Sequence, residues 1–200
     1  MQTTKTLPPN YHHHKTLDLS SSRVVVLLNL AAIPLLFLYG WFFNWVIFSL
    51  RPISPVPIGV FQILTSFSGR GLIALMLSII LMLLFHELVH GLFFWLFTHE
   101  RPKFALRAGY AFAAAPDWFL PSSQYIIVGI SPFIIISILC IILGIMITAS
   151  VVPYLLLIAT FNAAGALGDL IVVAWVLRQP KTILVKDEGD KFSSFLPGSE

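Results

Sequence analysis

Four apolar stretches constrain the fold of this 200-residue chain more than any other feature. They cover about residues 23–50, 72–97, 125–149 and 151–177. Each exceeds the roughly 20 residues that an α-helix needs to cross a bilayer. The first stretch is too long for the core of a signal peptide and is not followed by a small-residue cleavage site, which favours a retained span. The pattern predicts an all-α integral membrane protein with about four transmembrane helices.

The composition supports this prediction and excludes several classes of protein. Apolar residues make up 58% of the chain and charged residues only 10%, whereas a soluble domain carries about 25% charged residues. So few charges do not suit a water-facing globule, a disordered chain or a nucleic-acid binder. Cys140 is the single cysteine, so an intrachain disulfide and a cysteine-based metal cluster are both excluded.

The distribution of lysine and arginine predicts the orientation in the bilayer. If all four stretches cross, ten basic residues share one side and two lie on the other. By the positive-inside rule, both termini and the loop between spans two and three are then cytoplasmic. We therefore expect a flexible cytoplasmic tail over 1–22, a transmembrane domain over 23–178 and a cytoplasmic tail over 179–200. The ten inner residues are Lys5, Lys15, Arg23, Arg101, Lys103, Arg107, Arg178, Lys181, Lys186 and Lys191.

Three connecting segments carry further predictions. Residues 51–71 are rich in proline and glycine and predict an irregular outer loop. Residues 104–120 are too apolar for a solvated loop, and two alternatives stay open for them. One is a segment in the headgroup layer, and the other is a β-hairpin whose exposed edge could pair with an extended peptide. After span four, the tail resembles two short strands with Gly189 at the bend.

The second apolar stretch contains the most informative motif, HELVH over residues 86–90. On a helix, residues four apart share a face, so the imidazoles of His86 and His90 can bind one cation. Glu87 lies about 100° around the helix, from where it can reach a water beside the metal and act as its general base. The alternative is a polar cluster that stabilises helix packing or relays protons. Ionisable groups inside a span are costly and indicate a functional site.

Catalytic zinc usually has three protein ligands, and depth in the membrane favours Asp169 as the third. At about 1.5 Å per residue, His86 lies about 21 Å from the outer start of span two. On the same measure Asp169 lies about 27 Å from the outer start of span four. Both groups then fall in the cytoplasmic half of the bilayer. The alternatives are a neutral, hydrogen-bonded Asp169 and a ligand from the loop, Asp117.

Two other residues are predicted to lie beside this site. Asn162 is seven residues before Asp169 and therefore on the same helix face. It could bond a metal ligand, the substrate carbonyl or a developing oxyanion, or it could only tie helices together. Pro132 lies inside span three, where a proline can free backbone carbonyls next to the site.

The segments HELVHG, SPF and FNAAGALGD together resemble intramembrane metallopeptidases of the site-2 protease type. The chain is more similar to a small bacterial family of zincin-like membrane metallopeptidases, over about residues 72–192. The site-2 pattern N-x-x-P-x-x-x-x-D-G differs here, because Gly165 replaces the proline and Leu170 follows the aspartate. The resemblance implies a bacterial cytoplasmic membrane and pairs the H-E-x-x-H histidines with an aspartate from a later helix.

The sequence therefore predicts a zinc-dependent endopeptidase embedded in the membrane. His86, His90 and Asp169 would hold Zn²⁺, Glu87 would be the general base and acid, and Asn162 would contact substrate or oxyanion. The substrate would be a membrane-associated or transmembrane peptide. Two alternatives stay open: a metal-binding sensor or scaffold without catalysis, and a protein that conducts protons or metal ions.

Overall fold

The computed structural model describes residues 2–51, 69–107 and 110–198. They divide into two compact units. One unit comprises residues up to 28, residues 87–132 and residues from 167 onward; the other comprises residues 29–86 and 133–166. The outer loop predicted over residues 51–71 lies almost entirely outside the described residues.

The predicted apolar spans are helical in the structure. Among the described residues, three helices are long and apolar enough to cross a membrane, and the total is four if a bent pair counts as one span. That pair covers the fourth predicted span, which is broken near Ala166 with a bend of 42° instead of forming one continuous helix. The helices are α1 (Ser22–Leu50), α2 (Gly69–Thr98), α3 (Ser122–Met146), α4 (Val152–Gly165) and α5 (Leu167–Leu177).

The long helices expose apolar side chains over much of their surface. In α1, Phe37, Trp41 and Leu27 are each exposed by more than 60%. A helix on the surface of a soluble domain keeps its apolar residues on one buried stripe and shows charges elsewhere. Length and composition thus both point to a hydrocarbon environment around these helices.

Small residues allow close contacts within the unit formed by residues 29–86 and 133–166. A Cβ at Gly144 of α3 would lie 2.8 Å from Cδ1 of Ile47 in α1, so only glycine leaves room for that fully buried isoleucine. At the end of α1, the Arg51 side chain donates a hydrogen bond to the carbonyl of Ile147, at 3.0 Å. That bond satisfies one of the carbonyls left without a helical partner beyond the end of α3.

The described part of the chain also contains six strands, so the all-α prediction is wrong in this respect. Four of them form an antiparallel sheet in the order β1-β6-β5-β4. Residues 1–22, predicted as a flexible tail, thus contribute an edge strand. The strands are β1 (Tyr11–Asp18), β2 (Lys103–Arg107), β3 (Tyr110–Ala114), β4 (Phe119–Pro121), β5 (Leu184–Asp187) and β6 (Lys191–Pro197).

Two segments for which the sequence left open or favoured a hairpin form one in the structure. Strands β2 and β3 pair as an antiparallel two-stranded sheet, which decides for the hairpin alternative between spans two and three. Strands β5 and β6 also form a hairpin, and Gly189 at its bend has a φ of +97°. This backbone conformation favours glycine, because a side chain there meets its own backbone.

The four-stranded sheet packs against helices through one apolar core. The core joins residues of α2, α3 and α5 to residues of β4, β5 and β6. Burial of this apolar surface holds α2, α3 and α5 against the sheet. Its largest fully buried members are Phe94, Leu120, Val128, Val176, Ile183 and Val185.

A buried carboxylate at the end of β5 ties the sheet to α3. The Tyr125 hydroxyl donates to Oδ2 of Asp187 at 2.8 Å, and the backbone N–H of Gly189 donates to Oδ1 at 2.7 Å. Burial raises the pKa of Asp187 to about 6, against the opposing effect of these two hydrogen bonds. Removal of a carboxylate from water disfavours its charged form, which explains the direction of the shift.

Candidate metal centre

Helix α2 carries three of the predicted site residues on consecutive turns. His86 and His90 are buried, each with 7% of its surface exposed, and Glu87 is half-buried. Because α2 is continuous from Gly69 to Thr98, the four-residue spacing places both imidazoles on one face. Buried imidazoles require polar partners, and the structure supplies one for each ring.

The ring of His86 is oriented by Asn162 of α4. Nδ1 of His86 donates a hydrogen bond to Oδ1 of Asn162 at 3.0 Å, and Asn162 is fully buried. This bond places a proton on Nδ1, so that Nε2 is the nitrogen that would bind a metal. Metal-ligating histidines show this arrangement, in which an oxygen outside the metal's own ligands fixes the tautomer. The prediction that Asn162 could bond a metal ligand thus has a structural basis, whereas its contact with substrate or oxyanion stays a prediction.

The ring of His90 is oriented in the same way by a carbonyl of α3. Its Nδ1 donates to the backbone oxygen of Val128 at 3.0 Å, and the Ser131 hydroxyl donates to the same oxygen at 2.9 Å. In a regular helix this carbonyl would accept from the N–H four residues later, but that residue is Pro132, which has no N–H. Pro132 therefore frees a carbonyl beside the site, as the sequence predicts.

Asp169 reaches the histidines from the first turn of α5. Its Oδ2 lies 3.4 Å from Nε2 of His90, and 31% of its side chain is exposed. The break between α4 and α5 places this carboxylate at a helix N-terminus, where unpaired N–H groups favour negative charge. The break was not predicted, because the apolar run continues through it.

The histidine nitrogens and the aspartate oxygen form a compact donor set. One ligand atom from each of His86, His90 and Asp169 lies within 4.8 Å of the other two. Two donors on one zinc lie at most about 4.4 Å apart when each metal–ligand distance is about 2.0–2.2 Å, so donor atoms within 4.8 Å of one another could share one ion after small side-chain shifts. Two imidazole nitrogens and a carboxylate oxygen suit a borderline cation such as Zn²⁺. The residues that the sequence singles out for a metal are therefore together in the structure and could hold one.

The other acidic residue considered as a ligand lies elsewhere. Asp117 forms an ion pair with Lys103 at 2.8 Å, and both side chains are 65% exposed. The hydrogen bond from Lys103 holds the pKa of Asp117 below its usual value. Asp117 is absent from the donor set found among the described residues.

Strand β2 lies against the turn of α2 that follows His90. A Cβ at Gly91 would lie 2.5 Å from Cζ of Phe104 and 3.2 Å from Cγ of Pro102. A larger residue at position 91 would therefore displace the Phe104 ring. The β2–β3 hairpin thus contacts the turn that follows a candidate metal ligand, a contact that the sequence did not indicate.

Comparison with known proteins gives one family. The family model described as "Putative zincin peptidase" matches residues 79–184, which is more than half of the chain. The matched region includes both histidines, Glu87 and Asp169. No curated protein and no solved structure matches the chain.

Proposed function

Because the chain belongs to the family described as "Putative zincin peptidase", we propose that it is a zinc-dependent endopeptidase embedded in a membrane. The observation that carries this proposal is the donor set of His86, His90 and Asp169, whose ligand atoms lie within 4.8 Å of one another. The three apolar helices long enough to span a bilayer support the membrane location. The excess of basic residues on one side supports a cytoplasmic position for both termini.

His86, His90 and Asp169 would hold the zinc. A zinc ion in this set would supply Lewis-acid polarisation of the scissile carbonyl and of the attacking water. The protein's contribution is to keep both imidazoles in one tautomer through Asn162 and the Val128 carbonyl. Such outer hydrogen bonds raise the basicity of the ligating nitrogens and hold the rings in place.

Glu87 would transfer the protons of the reaction. It follows His86 directly on α2 and is half-buried, so its carboxylate is near the donor set without belonging to it. In hydrolysis Glu87 would accept a proton from the attacking water and then deliver it to the departing amine. A carboxylate in this position is the general base of H-E-x-x-H metallopeptidases.

The substrate would be a membrane-associated or transmembrane peptide that is locally extended. Within the described residues, β2 pairs with β3 alone, and Phe104 holds it beside the turn after His90. An unpaired strand edge offers backbone donors and acceptors to an extended chain. We propose that the substrate is presented as an extended strand at such an edge, since a peptide bond must leave helical structure before water can attack it.

The test is to replace Glu87 by glutamine and to measure zinc content and hydrolysis together. The probes are internally quenched transmembrane peptides of varied sequence in detergent micelles. We expect Glu87→Gln to keep one zinc per chain and to lose hydrolysis by at least about 100-fold, because general acid–base catalysis contributes about 10²–10⁴-fold. Asp117→Asn is the matched control, since it removes an exposed carboxylate outside the donor set.

The outcomes separate this proposal from its alternatives. Undiminished turnover in Glu87→Gln would contradict the mechanism. One zinc per chain in the wild type without hydrolysis of any peptide would favour a metal-binding sensor or scaffold. Zinc flux into proteoliposomes that disappears in Asp169→Ala would favour a conducting protein.

A further inference from the structure

The chain segment ahead of β1, residues 3–5, lies on the edge of the four-stranded sheet opposite β1. The backbone N–H of Thr4 donates to the carbonyl of Phe119 at 3.1 Å, and the N–H of Phe119 donates to the carbonyl of Thr4 at 2.8 Å. The pairing is antiparallel. Residues 3–5 therefore act as a short added strand next to β4. A few residues later, the same chain forms β1 at the opposite edge of the sheet.

Three side-chain contacts fix the register of this segment. The Lys5 ammonium lies 2.5 Å from Oε1 of Glu100 and 5.2 Å from the centre of the Trp118 ring. The Trp118 indole donates to the other oxygen of Glu100 at 3.2 Å. The Thr3 hydroxyl donates to the side-chain oxygen of Gln124. An acidic group and an aromatic face thus form one receptor for a basic side chain.

This edge lies close to the candidate metal centre along the chain. Gln124, the partner of Thr3, is one helical turn before Val128 on α3, a rise of about 6 Å. The Val128 carbonyl holds the His90 ring. A peptide on β4 would therefore be extended within about one helical turn of a residue that positions a zinc ligand.

The segment is held by contacts that are easily replaced. Lys5 and Glu100 are each about half exposed, with 50% and 52% of their side chains accessible. Ion pairs so exposed contribute little to stability, and the backbone pair involves a single residue on each side. An extended peptide with the same groups can form every one of these bonds.

We propose that the β4 edge is a docking site for the substrate peptide and that residues 3–5 occupy it as an autoinhibitory strand. The occupant that replaces them is an extended peptide with a lysine or arginine at the position of Lys5, selected by Glu100 and Trp118. This inference rests on the proposed peptidase function and adds to it the charge that the substrate carries.

The test measures peptide binding to the full-length protein in detergent, so that its outcome does not depend on hydrolysis. The probe is the hexapeptide QTTKTL, equal to residues 2–7, with a C-terminal fluorescein, and QTTETL is its charge-reversed partner. Thr4→Pro removes the N–H that bonds to Phe119 and should release the segment. Gln2→Pro is the matched control, because it places a proline in the same segment outside the paired residue.

We expect Thr4→Pro to bind QTTKTL at least tenfold more tightly than the wild type or Gln2→Pro, because the competing strand within the chain acts at a high effective concentration. Adding Glu100→Lys to Thr4→Pro should reverse the preference, so that QTTETL binds better. A second pair of variants keeps every backbone group. Lys5→Glu breaks the ion pair with Glu100 and should also raise the affinity for QTTKTL. The double variant Lys5→Glu, Glu100→Lys restores an ion pair and should return this affinity to the weak wild-type value.

The proposal would be overturned if the wild type, Gln2→Pro and Thr4→Pro bound QTTKTL with equal affinity. It would also be overturned if Glu100→Lys left the preference for QTTKTL over QTTETL unchanged. If the wild type hydrolyses peptides while all these affinities are equal, the peptidase function stands and the docking site falls. If binding follows the prediction without hydrolysis, the docking site stands and the peptidase function falls.

Discussion

The hydrogen bond between Asn162 and His86 should control the affinity of the protein for zinc. Asn162→Ala removes the oxygen that accepts from Nδ1 of His86, and both side chains are buried. If the zinc-free His86 ring turns to another partner, zinc binding must restore a buried donor without one, at about 1–3 kcal/mol, equivalent to about a 5- to 140-fold change in affinity. Loss of such outer partners weakens metal binding by about 10–100-fold in other sites. We therefore expect the Kd for zinc to rise by about 10–100-fold.

The assay is competition between the detergent-purified protein and a chromophoric zinc chelator. Asn162→Asp keeps an oxygen at the same position and should bind zinc at least as tightly as the wild type. Thr160→Val is the matched control, because it changes a buried hydroxyl two residues earlier on α4. A zinc Kd in Asn162→Ala within twofold of the wild-type value would refute the argument that this bond orients a ligand. The same loss in Thr160→Val would show that the effect arises from packing of the helix.

Two further predictions concern the surroundings of the centre. Pro132→Ala gives the Val128 carbonyl a helical donor that competes with His90, so the zinc Kd should rise by up to about tenfold; an unchanged Kd in the chelator assay would contradict this. The pKa of Asp187 is raised from 3.8 to about 6, so the folded state binds this proton more tightly than the unfolded state. Its contribution to stability is present below pH 3.8 and is lost as the pH rises through 6, by about 3 kcal/mol at 1.36 kcal/mol per unit. As the pH rises through this range, the free energy of unfolding of the wild type should fall by that amount relative to Asp187→Asn. If the two proteins gave parallel profiles of unfolding free energy against pH in mixed micelles, this explanation would be excluded.

The helices could be predicted from the sequence because length and hydropathy alone determine them. The run predicted over 23–50 is α1 at Ser22–Leu50, and the run over 125–149 is α3 at Ser122–Met146. A segment of 20 or more apolar residues must satisfy its backbone internally, and a helix does so without a partner. No knowledge of distant contacts is needed for such a prediction.

The four-stranded sheet could not be predicted, because its pairing is distant in sequence. Strand β1 pairs with β6, so that Tyr11 lies opposite Pro197. Strand β4 has three residues, too few for a recognisable alternation of apolar and polar residues. The β1 sequence YHHHKTLD likewise has little apolar content, which resembles a solvated tail more than a strand.

The candidate site was predictable in its residues and only partly in its geometry. The HELVH spacing and the depth argument bring His86, His90 and Asp169 together, as the structure does. The break near Ala166 was missed because the apolar run continues through it and only the glycines at 165 and 168 mark the place. Glycine lowers helix stability by about 1 kcal/mol per residue, but that cost alone does not locate a break.

The zinc content of the purified protein tests the central claim most directly. We would measure zinc per chain in detergent for the wild type, His90→Ala and Asp169→Ala, each after controlled reloading. We expect about one zinc per wild-type chain and its loss in both variants, because three ligands are the usual number for a catalytic site. A wild-type chain without zinc, or an Asp169→Ala variant that retains the wild-type amount and affinity, would contradict the proposed metal centre.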